Sequence, residues 1–494
     1  MKRISQTKLN IASSLLLRAV SAVCGLILPR IVLTSFGSEA NGLVAAVTQL
    51  LGYTVLLEGG IGGVMRAALY RPLSNRDMVG VSGVYHQISH TFRDISFAYI
   101  GFALFLSVFM KFLVDTQFDW MYVFTMVLIL SINNYFSYYI ALPQRLLMTA
   151  DQKVYIIQFT QTITTIANLL MCVLVIRLGG GIHSVKLTTA VVFLVNPMVL
   201  RNYVKRNYAL RKVSDTEVAP VPQKRDGVIH HLAFFIHRNT DVVILSLLST
   251  LENVSAYTVY NMVISILEQF LSSISSGLSG AVGNLIAREE IKQLNQLVDR
   301  YETWSNALTT AVATVCGILI LPFVSIYTKG VTDAQYYQPV FALLMIAGSY
   351  AYSIRHPFGC VVSAAGHYKE TKAGAIGEVG INLILSLALV KPLGLVGVAL
   401  GTFVAMSFRT VYTVLYLSKH ILHRPAYKFF LKLACNLAAS VALTGMVQGW
   451  FDLNVSSIME LFLCAVKISV IIFPAFIVMN IVLSLDTFKK DIEK

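Results

Sequence analysis

Ionisable side chains interrupt stretches of otherwise apolar sequence: Arg18, Arg30, Glu58, Arg66, Arg238, Asp241, Glu268, Arg355, Glu378, Arg409 and Lys467. A charge at the centre of a bilayer costs about 2.5–3.5 kcal/mol on insertion scales, so it faces a partner or a wet cavity. Arginine dominates the set. Its guanidinium stays protonated and presents a planar fork of N–H donors that matches phosphate oxygens. Arg18, Arg66, Arg238, Arg355 and Arg409 are therefore candidate ligands of a pyrophosphate-bearing substrate, with ion pairs that brace helices as the competing reading. Arg30, near the end of its stretch, reads as a side chain snorkelling to the interface. Arg238 and Asp241 are spaced i, i+3 on one helix face and can pair. Asp241, Glu58 and Glu268 are candidates either for coupling H+ or Na+ or for ion pairing, and Glu378 reads as structural or near solvent.

Other chemistry is thinly represented. No nucleophile and base stand in a recognisable constellation, so no catalytic residue is assigned. His86 and His90 have i, i+4 spacing but lack the HExxH context of a zinc site, and no metal ligand set is assigned. The six cysteines lie in apolar stretches without a CxxC and read as small core residues. Gly59, Gly60, Gly62 and Gly63 do not form a phosphate loop, because no strand precedes them and no Gly-Lys-Ser/Thr ending follows. In an apolar helix they allow bending or close approach. No cofactor is expected beyond a coupling H+ or Na+.

The elements that must position these charges follow from composition. The 494 residues are 56% hydrophobic and 13% charged, with a mean hydropathy of +0.69; a soluble chain carries about 25% charged residues. Fourteen apolar stretches, from 9–33 to 458–484, are each long enough to cross about 30 Å of hydrocarbon. None alternates as a barrel strand would. The chain is expected to be an all-α polytopic membrane protein of about 14 transmembrane helices. Most of the 39 Lys and Arg residues fall in alternate connections, which places both termini in the cytoplasm. The net charge of +14 is then topology, and no nucleic acid partner is expected.

Two stretches repeat. Asn168, Gly180 and Thr188 recur as Asn382, Gly394 and Thr402 at a separation of 214, and Arg177 recurs as Lys391, with Lys153 set against Lys369. Gly42–Tyr70 likewise resembles Ala256–Ala287. A shift of six spans preserves orientation, so the lobes read as parallel pseudo-repeats. The expected organisation is an N-lobe at 1–204 (spans 1–6), a basic cytoplasmic linker at 205–228, a C-lobe at 229–418 (spans 7–12), and two extra helices with a cytoplasmic tail at 419–494. Two lobes around a cavity suit alternating access.

The run Ser35-Phe-Gly-Ser-Glu-Ala-Asn-Gly42, the Leu57–Gly63 segment, Arg66–Leu73 and Gly283–Glu289 resemble bacterial O-antigen-type polysaccharide flippases. These belong to the multidrug/oligosaccharidyl-lipid/polysaccharide exporter superfamily. The resemblance implies a non-enzymatic transporter in the bacterial cytoplasmic (inner) membrane. Its substrate would be an undecaprenyl-pyrophosphate oligosaccharide, flipped to the periplasmic leaflet for cell-surface polysaccharide synthesis. It also implies membrane lipid and polysaccharide polymerase machinery as partners, and a cavity lined by spans 1, 2, 7 and 8, where most of the buried charges lie. A lipid II flippase and a drug/cation antiporter are the alternatives. A membrane-embedded polymerase is a remote one, because the external connections are short.

Overall fold

The computed structural model describes residues 2–58, 61–211, 239–276, 279–451, 453 and 455–484. Among them there is no β-strand, and ten helices are long and apolar enough to cross a membrane. The polytopic all-α class therefore holds. The first helix, α1 (Lys2–Gly52), bends at Gly37, whose φ of +83° is in the left-handed region open to glycine.

Four expected stretches, 42–69, 229–249, 255–287 and 338–363, have no such membrane-crossing helix of their own among the described residues. Stretch 42–69 takes in the end of α1, a turn at Tyr53–Thr54, α2 (Val55–Glu58) and α3 (Ile61–Ser74). Stretch 229–249 contributes α9 (Asn239–Leu248), and its earlier residues lie outside the described set. Stretch 255–287 holds α10 (Leu251–Ser276) and α11 (Ser279–Ala287).

The chain clusters into two compact units. The first comprises Met1–Phe235 with Thr250–Ser255; the second comprises Ile236–Ser249 with Ala256–Lys494. In the first unit α4 (Met78–Leu113) and α5 (Trp120–Phe136) precede a π-helical turn at Ser137–Ala141. Then come α6 (Leu142–Ala150), α7 (Val154–Arg177) and α8 (Ile182–Asn207). In the second, α12 (Ile291–Tyr327) is followed by α13 (Pro339–Ile354), a turn at Arg355, α14 (His356–Ala365), α15 (Tyr368–Leu393) and α16 (Leu395–His420). The chain continues into α17 (Tyr427–Trp450) and α18 (Ile458–Val482).

The two units interrupt the same helix at the same place, the first with the π-helical turn and the second with the turn at Arg355. Pro143 and Pro357, 214 residues apart, each occupy the second position of the helix after the break. A proline there has no N–H to bond the preceding turn. Gln152 (φ +60°) and Gly366 (φ +71°) repeat the left-handed turn that follows, and Lys153 and His367 are the N-caps of α7 and α15. Lys153 thus corresponds to His367 rather than Lys369. Because α8 and α16 are equally long and start 213 residues apart, the residue matching Thr402 is Thr189, one beyond Thr188.

Hydrocarbon solvates leucine as well as another leucine does, so packing and polar contacts hold such helices together. Polar pairs recur at the buried seams. Asn436 and Asn480 exchange two amide hydrogen bonds, at 3.1 and 2.9 Å, between α17 and α18. Thr314 meets Ser440 at 2.8 Å, and Thr303 meets Ser484 at 2.8 Å. Large apolar side chains such as Phe112, Leu178 and Val441 are exposed, as a lipid-facing surface requires.

Candidate functional site

Three features of the second unit combine charge, polarity and space. The first surrounds Asp241 on α9, which is buried. Thr402 of α16 donates its hydroxyl hydrogen to the carboxylate, 3.0 Å from Oδ1 and 2.8 Å from Oδ2. The Tyr257 hydroxyl of α10 donates to Oδ2 at 3.1 Å. Asn382 Nδ2 of α15 donates to the Thr402 hydroxyl at 2.8 Å, and one turn on the Ser386 hydroxyl donates to the Val398 carbonyl at 3.5 Å. The group is a carboxylate met by two hydroxyl oxygens, one of them backed by the Asn382 amide nitrogen. Oxygen-only donors suit a hard cation, and the carboxylate suits a proton. Among the described residues no cluster of three His, Cys, Asp or Glu side chains exists to hold a transition metal. The matching contacts in the first unit join Cys172 to Asn168 (3.3 Å), Thr189 (3.3 Å) and the Val185 carbonyl (3.6 Å), with no carboxylate among them.

The second feature gives two of the arginines an acidic partner. Arg355 Nη2 donates to Glu378 Oε1 at 3.0 Å, and Arg409 Nε stands 3.6 Å from Oε2. Both arginines therefore have a carboxylate partner on α15. Glu378 is buried and lies about 15 Å along its helix from Tyr368, well inside the span rather than near solvent. Gly374 makes room for this arrangement, since a Cβ there would run into Arg409 Nη1 and the Tyr412 ring.

The third feature is a cavity of about 820 Å³ walled by α12, α13, α16 and α17. Its lining is chiefly apolar, including Ile346, Phe403, Phe430 and Leu437. The hydroxyls along it are largely engaged: Thr314 with Ser440, Thr310 with Tyr350 at 3.2 Å, and Thr410 with the Ala351 carbonyl at 2.7 Å. Leu343 and Val441, both exposed, line its open side.

The remaining described candidates lie outside these three features. Arg18 on α1 and Arg66 on α3 are exposed. Arg238, and with it the expected Arg238–Asp241 pair, lies outside the described residues. Glu58 ends α2 with its carboxylate against Gly62, where a Cβ would come within 2.6 Å of Oε1. Glu268 is half-buried on α10.

Sequence reasoning missed the partners of Asp241, although Asn382 and Thr402 had surfaced as members of the repeat. It also missed a charge cluster in which Arg424 bridges Asp299 and Glu302, while Lys432 Nζ stands 3.5 Å from Glu302. Arg424 lies in the connection between α16 and α17. Burial lowers its pKa to about 10, which leaves it charged at neutral pH.

Comparison with known proteins agrees with this architecture. No protein-family model matches the chain. A probable low-salt glycan biosynthesis flippase, Agl15, of Haloferax volcanii is 22% identical over 348 residues, covering 67% of this chain and 72% of that protein. The solved lipid II flippase MurJ in an inward closed conformation superposes with a TM-score of 0.66 at 14% identity, over 97% of this chain and 99% of that one. An outward-facing multidrug resistance MATE family transporter of the MOP superfamily gives 0.57 at 12%, over 84% and 95%. The fold is that of these transporters. The resemblance to polysaccharide flippases of that superfamily is met by the fold and by the glycan flippase relative, and these similar proteins are flippases and transporters, not enzymes.

Proposed function

We propose that the chain is a secondary transporter that flips a polyprenyl-pyrophosphate-linked oligosaccharide from the cytoplasmic to the outer leaflet of the bacterial inner membrane by alternating access. The observation that carries the reading is the apolar cavity in the second unit. An open-sided pocket of this size, with its hydroxyls already engaged, suits a long hydrocarbon chain and offers little to a hydrophilic solute. The similarity to a glycan biosynthesis flippase supports the same substrate class.

The division of labour follows from chemistry. Arginines within the spans, Arg66 among them, hold the pyrophosphate, since a forked guanidinium binds phosphate oxygens in pairs. The polyprenyl chain lies in the cavity between α12, α13, α16 and α17. The Asp241–Thr402–Asn382 group takes the coupling ion, H+ or Na+. Asp241 would hold the ion beside the Thr402 and Tyr257 hydroxyls, and its loss would leave the carboxylate to those donors, so binding would bias the packing of α9, α10 and α16.

The test is transport of labelled undecaprenyl-pyrophosphate oligosaccharide in proteoliposomes, with lipid II and a cationic drug as competing substrates. Native protein should move the oligosaccharide lipid, and Arg66→Ala should reduce the rate at least tenfold with folding intact. Transport of lipid II or the drug alone would replace this reading with the corresponding alternative.

A further inference from the structure

The turn between α13 and α14 gathers more positive charge than its partners neutralise. Arg355 and Arg409 share the Glu378 carboxylate, each arginine 15% exposed and the glutamate 9%. Arg409 also donates Nη1 to the Thr371 carbonyl at 2.9 Å and lies 5.9 Å from the Tyr412 ring centre. Arg355 lies 5.0 Å from the Tyr352 ring centre, but its Nη1 is buried with no hydrogen-bond partner among the described residues. The same holds for Nε2 of the next residue, His356. Each of the three charges sits about ten residues from the end of its helix at Ala365, Tyr368 or His420, about 15 Å along it, and inside the charged end turns that hold Lys372 and Lys419.

The first unit is an internal control. It interrupts the matching helix with a π-helical turn, followed by Pro143 where the second unit has Pro357. The positions of Arg355, Glu378 and Arg409 are held there by Ala141, Thr164 and Asn196, all buried. The first unit thus holds its helices without charge at these three positions, although α6 carries Arg145, whose Nε is also buried with no hydrogen-bond partner among the described residues. Buried Arg–Glu–Arg sets are poor stabilisers, and replacing them by apolar residues is often neutral or better. The fold does not call for the triad, and an unspent guanidinium edge at this depth calls for an anion.

We propose that Arg355, Arg409 and His356 form an anion site that takes a phosphate group of the transported lipid, with Glu378 as the resident counter-ion that the phosphate displaces from Arg355. The lipid source rests on the flippase reading; the chemistry by itself fits any phosphate or diphosphate anion. The incoming phosphate engages the free Nη1 first and then Nη2 as Glu378 yields. Glu378 returns to Arg355 when the phosphate leaves, so the site carries its own competitor and release is fast.

The experiment measures binding of undecaprenyl pyrophosphate to the full chain in nanodiscs, and the melting shift caused by inorganic pyrophosphate. Arg355→Gln should weaken lipid binding at least tenfold, with Arg355→Lys intermediate. Glu378→Gln should do the reverse, tightening binding at least threefold and slowing dissociation. This opposite sign is the signature, because a mere brace would lose thermal stability in both variants without a change in affinity. Arg66→Ala is the reference. If it loses binding while Arg355→Gln and Glu378→Gln bind as the native protein does, the triad proposal falls and the flippase reading stands. If native protein ignores the lipid but inorganic pyrophosphate raises its melting temperature and not that of Arg355→Gln, the anion site stands without the lipid. If neither ligand acts on native protein, both fall.

Discussion

Thr402 gives its single hydroxyl hydrogen to both carboxylate oxygens of Asp241, at 3.0 and 2.8 Å, across 161 residues of chain. The same hydroxyl accepts from Asn382 at 2.8 Å. A carboxylate drawn from α9 is thereby joined to α15 and α16 by one small side chain that can reorient when a cation or proton arrives.

Asp241→Asn keeps the size of this side chain and removes its charge. Proteoliposome transport driven by a Na+ or pH gradient should fall at least tenfold, while transport down a substrate gradient alone persists at a reduced rate. An Asp241→Asn protein that responds to ion gradients as native protein does would remove Asp241 from coupling.

Gly445 lines the apolar cavity, and a Cβ built on it meets nothing within 4 Å. Gly445→Phe should therefore fill space without a clash, and replacing a helical glycine recovers up to about 1 kcal/mol of helix propensity. Thermal stability should hold or rise slightly, while flipping of an undecaprenyl-linked substrate drops at least fivefold. A short-chain citronellyl analogue should be moved as before. Equal effects on both chain lengths would take the hydrocarbon out of this cavity.

Glu302 is 2% exposed and sits between Arg424 and Lys432. Removing one partner of a buried pair costs about 3–5 kcal/mol, and Lys432 remains to temper the loss. Arg424→Ala should lower stability by about 2–3 kcal/mol on this basis, measured by detergent-solubilised unfolding. Arg424→Ala combined with Glu302→Gln should recover part of the loss. A double variant as unstable as the sum of the singles would show that charge pairing is not what Arg424 contributes.

The Asn436–Asn480 amide pair holds the last two helices together. Interhelical hydrogen bonds in membranes average about 0.6 kcal/mol and reach about 1.7. A double-mutant cycle with Asn436→Ala and Asn480→Ala should give a coupling energy toward the upper end, because two bonds are exchanged. Additive single effects would contradict the pair.

The reach of the sequence can be judged from particular residues. The long apolar stretches identified the membrane class, because a bilayer imposes length and hydropathy on every helix that crosses it. Asn168 and Asn382 exposed the repeat, and Pro143 with Pro357 now aligns its broken helices. The isolated charges pointed to Asp241, Arg355 and Arg409, since the cost of burying them makes each conspicuous in an apolar run.

What each charge meets was decided by tertiary structure alone. The spacing of Asp241 spoke only of its own helix, whereas Tyr257 and Thr402 reach its carboxylate from α10 and α16. Glu378 read as structural or near solvent, and packing of α15 against α16 with the turn at Arg355 makes it the counter-ion of two arginines. Hydropathy fixes how deep a residue lies along its helix. Which way the helix faces, and what stands opposite, depends on small residues such as Gly374 that set how closely two helices approach, and that distance is written in no single stretch of sequence.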